Sequence, residues 1–187
     1  MLTLLRLLSV PYLVDTLADT LVSSHPAVVA PAVFGLALFA VSTDMFDGTA
    51  ARLLRQTSEF GRIYDPVVDI VFHSSVAVTL FYGSAVSAAY VVVVLVRYLL
   101  PPVAGFFLYL FREPFQVKST IMGKLSSLVL SVFILAYTAG LAFEPARALG
   151  LPAFTHDILE PASIVICGLT VLFFLGRGVR ILRHGTK

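Results

Sequence analysis

The chain has 187 residues, 58% of them hydrophobic and only 13% charged, with a mean hydropathy of +0.94 and a net charge of +2. That balance excludes an ordinary soluble domain and points to a membrane-embedded body, read as one domain over residues 1–187. The single cysteine, Cys167, lies in an apolar run, so neither an intrachain disulfide nor a cysteine metal site is expected.

Six apolar stretches follow one another, each near the roughly 20 residues that cross a bilayer as a helix. They run over residues 4–22, 29–54, 60–81, 85–111, 122–143 and 158–182. Pro101 and Pro102 are expected to break or kink the fourth. Connections at 23–26, 82–84 and 144–157 would share one side of the membrane. Those at 55–59 and 112–123 would lie on the other side with both termini. Every Lys and Arg falls on that second side except Arg147, on the first, and Arg97, within a span. The positive-inside rule then places both termini in the cytoplasm, giving an all-α integral membrane protein with six transmembrane helices. The positive charge is thus a topology signal, and no motif suggests nucleic acid as a partner. Residues 1–10 carry one charge, Arg6, and no cleavage signal is expected there.

Against this background four carboxylates stand out. Asp44 and Asp47 are spaced i, i+3, and Asp65 and Asp69 i, i+4, so each pair projects from one face of its helix. Charged groups at bilayer depth are costly and are normally retained for function. Opposed, the two faces would form one acidic pocket. Like charges so close raise each other's pKa, whereas divalent cations would favour the ionised forms. Oxygen ligands without clustered Cys or His suit Mg2+ or Mn2+ rather than zinc, and two ions are plausible.

Beside the acids, Gly48 and Ala51 clear a strip where a bulky ligand could lie against the backbone. Arg52 offers a planar fork suited to phosphate oxygens, and Gly61, i, i+4 from Asp65, thins the opposite wall. Arg52 and Arg55 follow Asp47 by five and eight residues, about 8 to 12 Å along a helix. At that headgroup depth a diphosphate could enter while acyl chains stay in lipid.

Together these residues read D-x2-D-G-x2-A-R-x8-G-x3-D-x3-D over positions 44–69. The string resembles the motif of the CDP-alcohol phosphatidyltransferases, integral membrane enzymes that displace CMP from a CDP-linked lipid with an alcohol. The resemblance implies a dimeric six-helix fold, two metal ions held by Asp44, Asp47, Asp65 and Asp69, and Asp69 as the general base. Gly48, Ala51, Arg52 and Gly61 would then bind the CDP-lipid, CDP-diacylglycerol. The active site would face the cytoplasm at the inner or cell membrane.

Weaker similarities concern the alcohol. Thr3-x2-Arg6-x4-Pro11 and Gly123-Lys124-Leu125-Ser126-Ser127 are similar to patterns of phosphatidylglycerophosphate synthases, the second with a Lys and a Thr replaced. Arg97 resembles an Arg that those enzymes follow with an acid, where Tyr98 stands here. Ile70 and Gly105 occupy positions where cations would be expected. A water-soluble polyol phosphate such as glycerol 3-phosphate is the first expectation, with His73, Arg97 and Lys124 as acceptor-binding candidates. Inositol phosphate, serine or another alcohol stands behind it. A different class, a small divalent-ion transporter, would use the same acids as an ion path. No inverted repeat is visible to favour it.

Overall fold

The buried positions step along each helix in alternating threes and fours. In the first they are Arg6, Val10, Leu13, Leu17 and Thr20, and in the second Ala30, Val33, Ala37 and Ala40. Such stepping keeps one stripe of a helix facing its neighbours. The alanines let the second helix approach closely, as small residues do between helices in lipid. In a computed structural model, the backbone is described for residues 2–22, 26–53, 59–110 and 121–184, and side chains for 4–22, 29–43, 66–106 and 121–176.

Six long helices stand at the six apolar stretches: α1 (Leu2–Val22), α2 (Pro26–Leu53), α3 (Glu59–Tyr82), α4 (Ala88–Leu110), α5 (Ile121–Ala142) and, last in the chain, α8 (Glu160–His184). Their principal contacts close a ring in the order α1, α2, α5, α8, α4, α3 and back to α1. Leu13, Leu17, Phe72, Tyr90, Leu130 and Phe133 fill its interior. Large apolar side chains such as Leu8, Tyr12, Phe106, Leu128 and Leu172 face outward, as a lipid-facing surface requires. Among the described residues, three segments are long and apolar enough to cross a membrane: Ala88–Phe106, Ile121–Ala142 and Leu151–Gly176. Shorter apolar stretches occupy Val29–Thr43 and Pro66–Tyr82.

Several buried hydroxyls are satisfied by the preceding helical turn. Thr20, Thr138 and Ser163 donate to the carbonyls of Thr16, Ile134 and Leu159 at 2.7, 2.8 and 2.6 Å. Asp15 and Asp19, on the opposite side of α1 from its core stripe, are exposed. Cys167 is free and buried.

Two local expectations need correction. Residues 144–157, expected as a plain connection, contain α6 (Glu144–Ala148), α7 (Leu151–Phe154) and the start of a π-helical turn, Thr155–Leu159. Pro145 and Pro152 sit in the first turns of the two short helices, where a missing N–H costs nothing. The π turn leads to Glu160, which is buried, accepts the Ser87 N–H at 2.8 Å, and takes His156 Nδ1 at 3.0 Å, fastening α8 to the start of α4. Second, α4 is not broken at Pro101 and Pro102 but continues to Leu110. Its contacts with α3 and α8 hold it there, while the carbonyls of Arg97 and Tyr98 lose their usual i+4 N–H donors.

The turn after α3 leaves no room for a side chain at Gly83. A Cβ there would lie 2.5 Å from Leu21 Cδ1 and 2.9 Å from Leu21 Cβ. We expect Gly83→Ala to destabilise the protein by about 1–3 kcal/mol through overpacking. Thermal unfolding in detergent checks this, and a wild-type midpoint would refute the close approach.

Candidate active site

Five residues separate Leu53 from Glu59 and both helices pack on α1, so the C-terminal end of α2 and the N-terminal end of α3 lie at the same end of the bundle. Asp44, Asp47, Gly48, Ala51 and Arg52 are on helical backbone in α2, and Gly61 and Asp65 in α3. The expected i, i+3 and i, i+4 spacings are therefore carried by real helices. The side chains of these seven residues lie outside the described set. Among the described residues no three His, Cys, Asp or Glu side chains gather to hold a metal, but three of the four carboxylates in question are not among them.

Asp69 is described. Its Oδ1 accepts a hydrogen bond from Arg6 Nη1 at 2.7 Å, an ion pair joining α3 to the start of α1. The Arg6 side chain is 4% exposed and that of Asp69 28%. Arg6 shares the apolar stripe of α1, so a cation there needs a negative partner close at hand. Its guanidinium also lies 4.8 Å from the centre of the Phe72 ring.

The stack continues across the bundle. Phe72 meets His73 edge-on at 5.0 Å, and His73 lies nearly parallel to Tyr98 of α4 at 4.9 Å and 20°. The Arg97 guanidinium covers the Tyr98 ring at 4.2 Å. His73 Nδ1 is 3.0 Å from the Asp69 carbonyl oxygen, which can only accept, so Nδ1 carries the hydrogen. His73 is 3% exposed and Tyr98 6%.

Arg97 ties this group to α5. Its Nε donates to Ser126 Oγ at 2.7 Å, and Nη2 donates to the Gly123 carbonyl and to Ser127 Oγ, both at 2.8 Å. Lys124, between those partners in sequence, is exposed. Residues 123, 126 and 127 share one face of α5 and 124 turns away by about 100°. The three acceptor candidates thus separate: His73 sits beside Asp69, Arg97 is engaged with α5, and Lys124 points elsewhere. Arg97→Lys is expected to cost about 1–3 kcal/mol, since an ammonium cannot reproduce the planar fork's three bonds. Thermal unfolding of the variant measures this, and an unchanged midpoint would count against the tie.

Two participants were not singled out as site residues from sequence. Arg6 was visible in the Thr3-x2-Arg6-x4-Pro11 pattern, and its register with Val10, Leu13 and Leu17 signals an inward cation. Tyr98 registered only as a replacement for an expected acid.

The sequence profile of the CDP-alcohol phosphatidyltransferase family matches residues 1–175. The chain therefore belongs to the CDP-alcohol phosphatidyltransferase family, and its activity class is transfer of a phosphatidyl group from a CDP-alcohol to an alcohol acceptor in phospholipid biosynthesis. No curated protein matches the chain.

Proposed function

We propose that this single membrane domain, residues 1–187, transfers the phosphatidyl group of CDP-diacylglycerol to a water-soluble polyol phosphate, glycerol 3-phosphate first among them, and releases CMP. It would work as a homodimer of six-span protomers, with both termini and the site at the cytoplasmic face. The observation that carries this reading is Asp69, the last acid of the family motif, held by Arg6 near the end of the bundle where α2 finishes and α3 starts.

In this reading Asp69 takes the proton of the acceptor hydroxyl as its oxygen attacks the phosphorus bound to the lipid. The bond from that phosphorus to the CMP oxygen breaks, and CMP leaves. Gly48, Ala51 and Gly61 make room for the nucleotide end, and Arg52 contacts its phosphates. An all-oxygen donor set on two helices suits hard cations, so Asp44, Asp47, Asp65 and Asp69 would hold two Mg2+ or Mn2+ ions. Their charge would favour the pyrophosphate and departing CMP. Arg6 keeps the Asp69 carboxylate in one orientation. Inositol phosphate, serine or another alcohol remains the alternative acceptor.

The test is CMP release from purified protein given CDP-diacylglycerol, Mg2+ or Mn2+, and a panel of these acceptors. Release that depends on one acceptor supports the proposal and identifies the alcohol. No release with any of them, at any metal concentration, would reject it.

A further inference from the structure

His73 and Tyr98 present an unusual combination beside Asp69. His73 Nε2 and the Tyr98 hydroxyl are both buried, and neither has a hydrogen-bond partner among the described residues. Ser127 stands near the Tyr98 hydroxyl but not in bonding geometry. Leaving buried polar atoms unpaired is unfavourable, and native proteins normally satisfy them with protein, water or ligand. Here both atoms belong to parallel stacked rings, on helices that the ring arrangement places side by side.

The chemistry of the missing partner follows from the two atoms. With Nδ1 donating to the Asp69 carbonyl, the neutral imidazole offers only a lone pair at Nε2. The phenol can donate or accept. A hydroxyl, like water, donates to Nε2 and accepts from the phenol at once, whereas an ammonium can only donate and would leave the phenolic hydrogen without an acceptor. A phosphate or carboxylate oxygen could not donate to Nε2. Of the neighbouring cations, Arg97 is engaged with Gly123, Ser126 and Ser127, and Arg6 holds Asp69 through Nη1.

We propose that His73 and Tyr98 form a subsite for a second, non-reacting hydroxyl of the acceptor, making the enzyme selective for polyols over amino alcohols. This rests on the proposed transfer reaction and deepens it. His73 is one helical turn from Asp69, so an alcohol whose reacting hydroxyl meets Asp69 can extend a neighbouring hydroxyl to His73 and Tyr98. A polyol phosphate would carry its phosphate elsewhere. The aromatic stack from Phe72 through His73 to Tyr98 fixes both rings before the acceptor arrives.

Two measurements on Tyr98→Phe and His73→Phe, each keeping a ring in place, test the subsite. The first compares kcat/KM for glycerol 3-phosphate and for 3-hydroxypropyl phosphate, which lacks the middle hydroxyl, at saturating CDP-diacylglycerol, alongside inositol phosphate and serine. Wild-type protein should prefer the fuller polyol. Tyr98→Phe should lose about two- to tenfold toward polyol acceptors alone, erase the preference, and leave KM for CDP-diacylglycerol within about twofold. Equal loss toward all acceptors, a parallel rise in KM for CDP-diacylglycerol, or no change would overturn the subsite. The second reads the thermal midpoint in detergent with glycerol 3-phosphate or inositol phosphate. Either should raise the wild-type midpoint, and raise that of the variants less at the same concentration. A wild-type midpoint unmoved by every polyol also overturns it. Absence of CMP release bears instead on the transfer reaction, while the midpoint still decides the subsite.

Discussion

Asp69→Asn is expected to slow CMP release about 100-fold or more while CDP-lipid binding is retained. Asparagine has nearly the same shape and keeps an oxygen that can accept from Arg6, so the α1 to α3 contact at 2.7 Å can persist. What disappears is the negative charge that takes the acceptor proton. The same loss leaves the Arg6 guanidinium, 4% exposed, without its counter-charge, so some stability goes too. Single-turnover rates should be taken well below the variant's thermal midpoint, with binding of CDP-diacylglycerol measured separately. Retained turnover would remove Asp69 from the role of base. Asp47→Asn, by contrast, should lose liponucleotide binding.

Arg6→Ala is the second large effect. It strips the partner from a carboxylate that is 28% exposed, removes the guanidinium that lies against the Phe72 ring, and opens a gap in the buried stripe of α1. Breaking a buried pair from one side typically costs 3–5 kcal/mol. Partial exposure of Asp69 places this case toward the lower end, at about 3 kcal/mol. Arg6→Ala with Asp69→Asn should be less destabilised than the two single losses summed, by at least about 1 kcal/mol, because the second change removes the charge the first one stranded. Equilibrium unfolding of the wild type, both singles and the double closes the cycle. Strict additivity would mean the contact is not an energetic unit. Turnover should also fall in Arg6→Ala, since the carboxylate loses what orients it.

Particular residues show why parts of this were legible in the chain. The helices could be read because a bilayer demands about 20 apolar residues for each crossing, and ends such as Tyr82 and Ala142 follow from where that composition stops. The motif from Asp44 to Asp69 is local, contained in two consecutive helices, so its spacing survives as geometry without knowledge of the fold. Arg97 was harder. Its charge made it an acceptor-binding candidate with Lys124, yet the structure joins it to Ser126, Ser127 and the Gly123 carbonyl, because the face of α5 within its reach carries hydroxyls and not Lys124. Glu160 carries no sequence signal of its role, and the π turn before it brings its carboxylate to the Ser87 N–H.

From the sequence alone came the all-helical character, the number and extent of the long helices, and the family motif, since each depends on composition or on spacing within one or two helices. Only the tertiary structure decided the closed order of the ring, the meeting of Arg6 with Asp69, and the stack of Phe72, His73 and Tyr98 between two arginines. Periodicity says which face of a helix turns inward. It cannot say which helix it meets or at what height, because apolar faces in lipid fit many partners almost equally. That choice is made by side-chain packing between segments far apart in the chain.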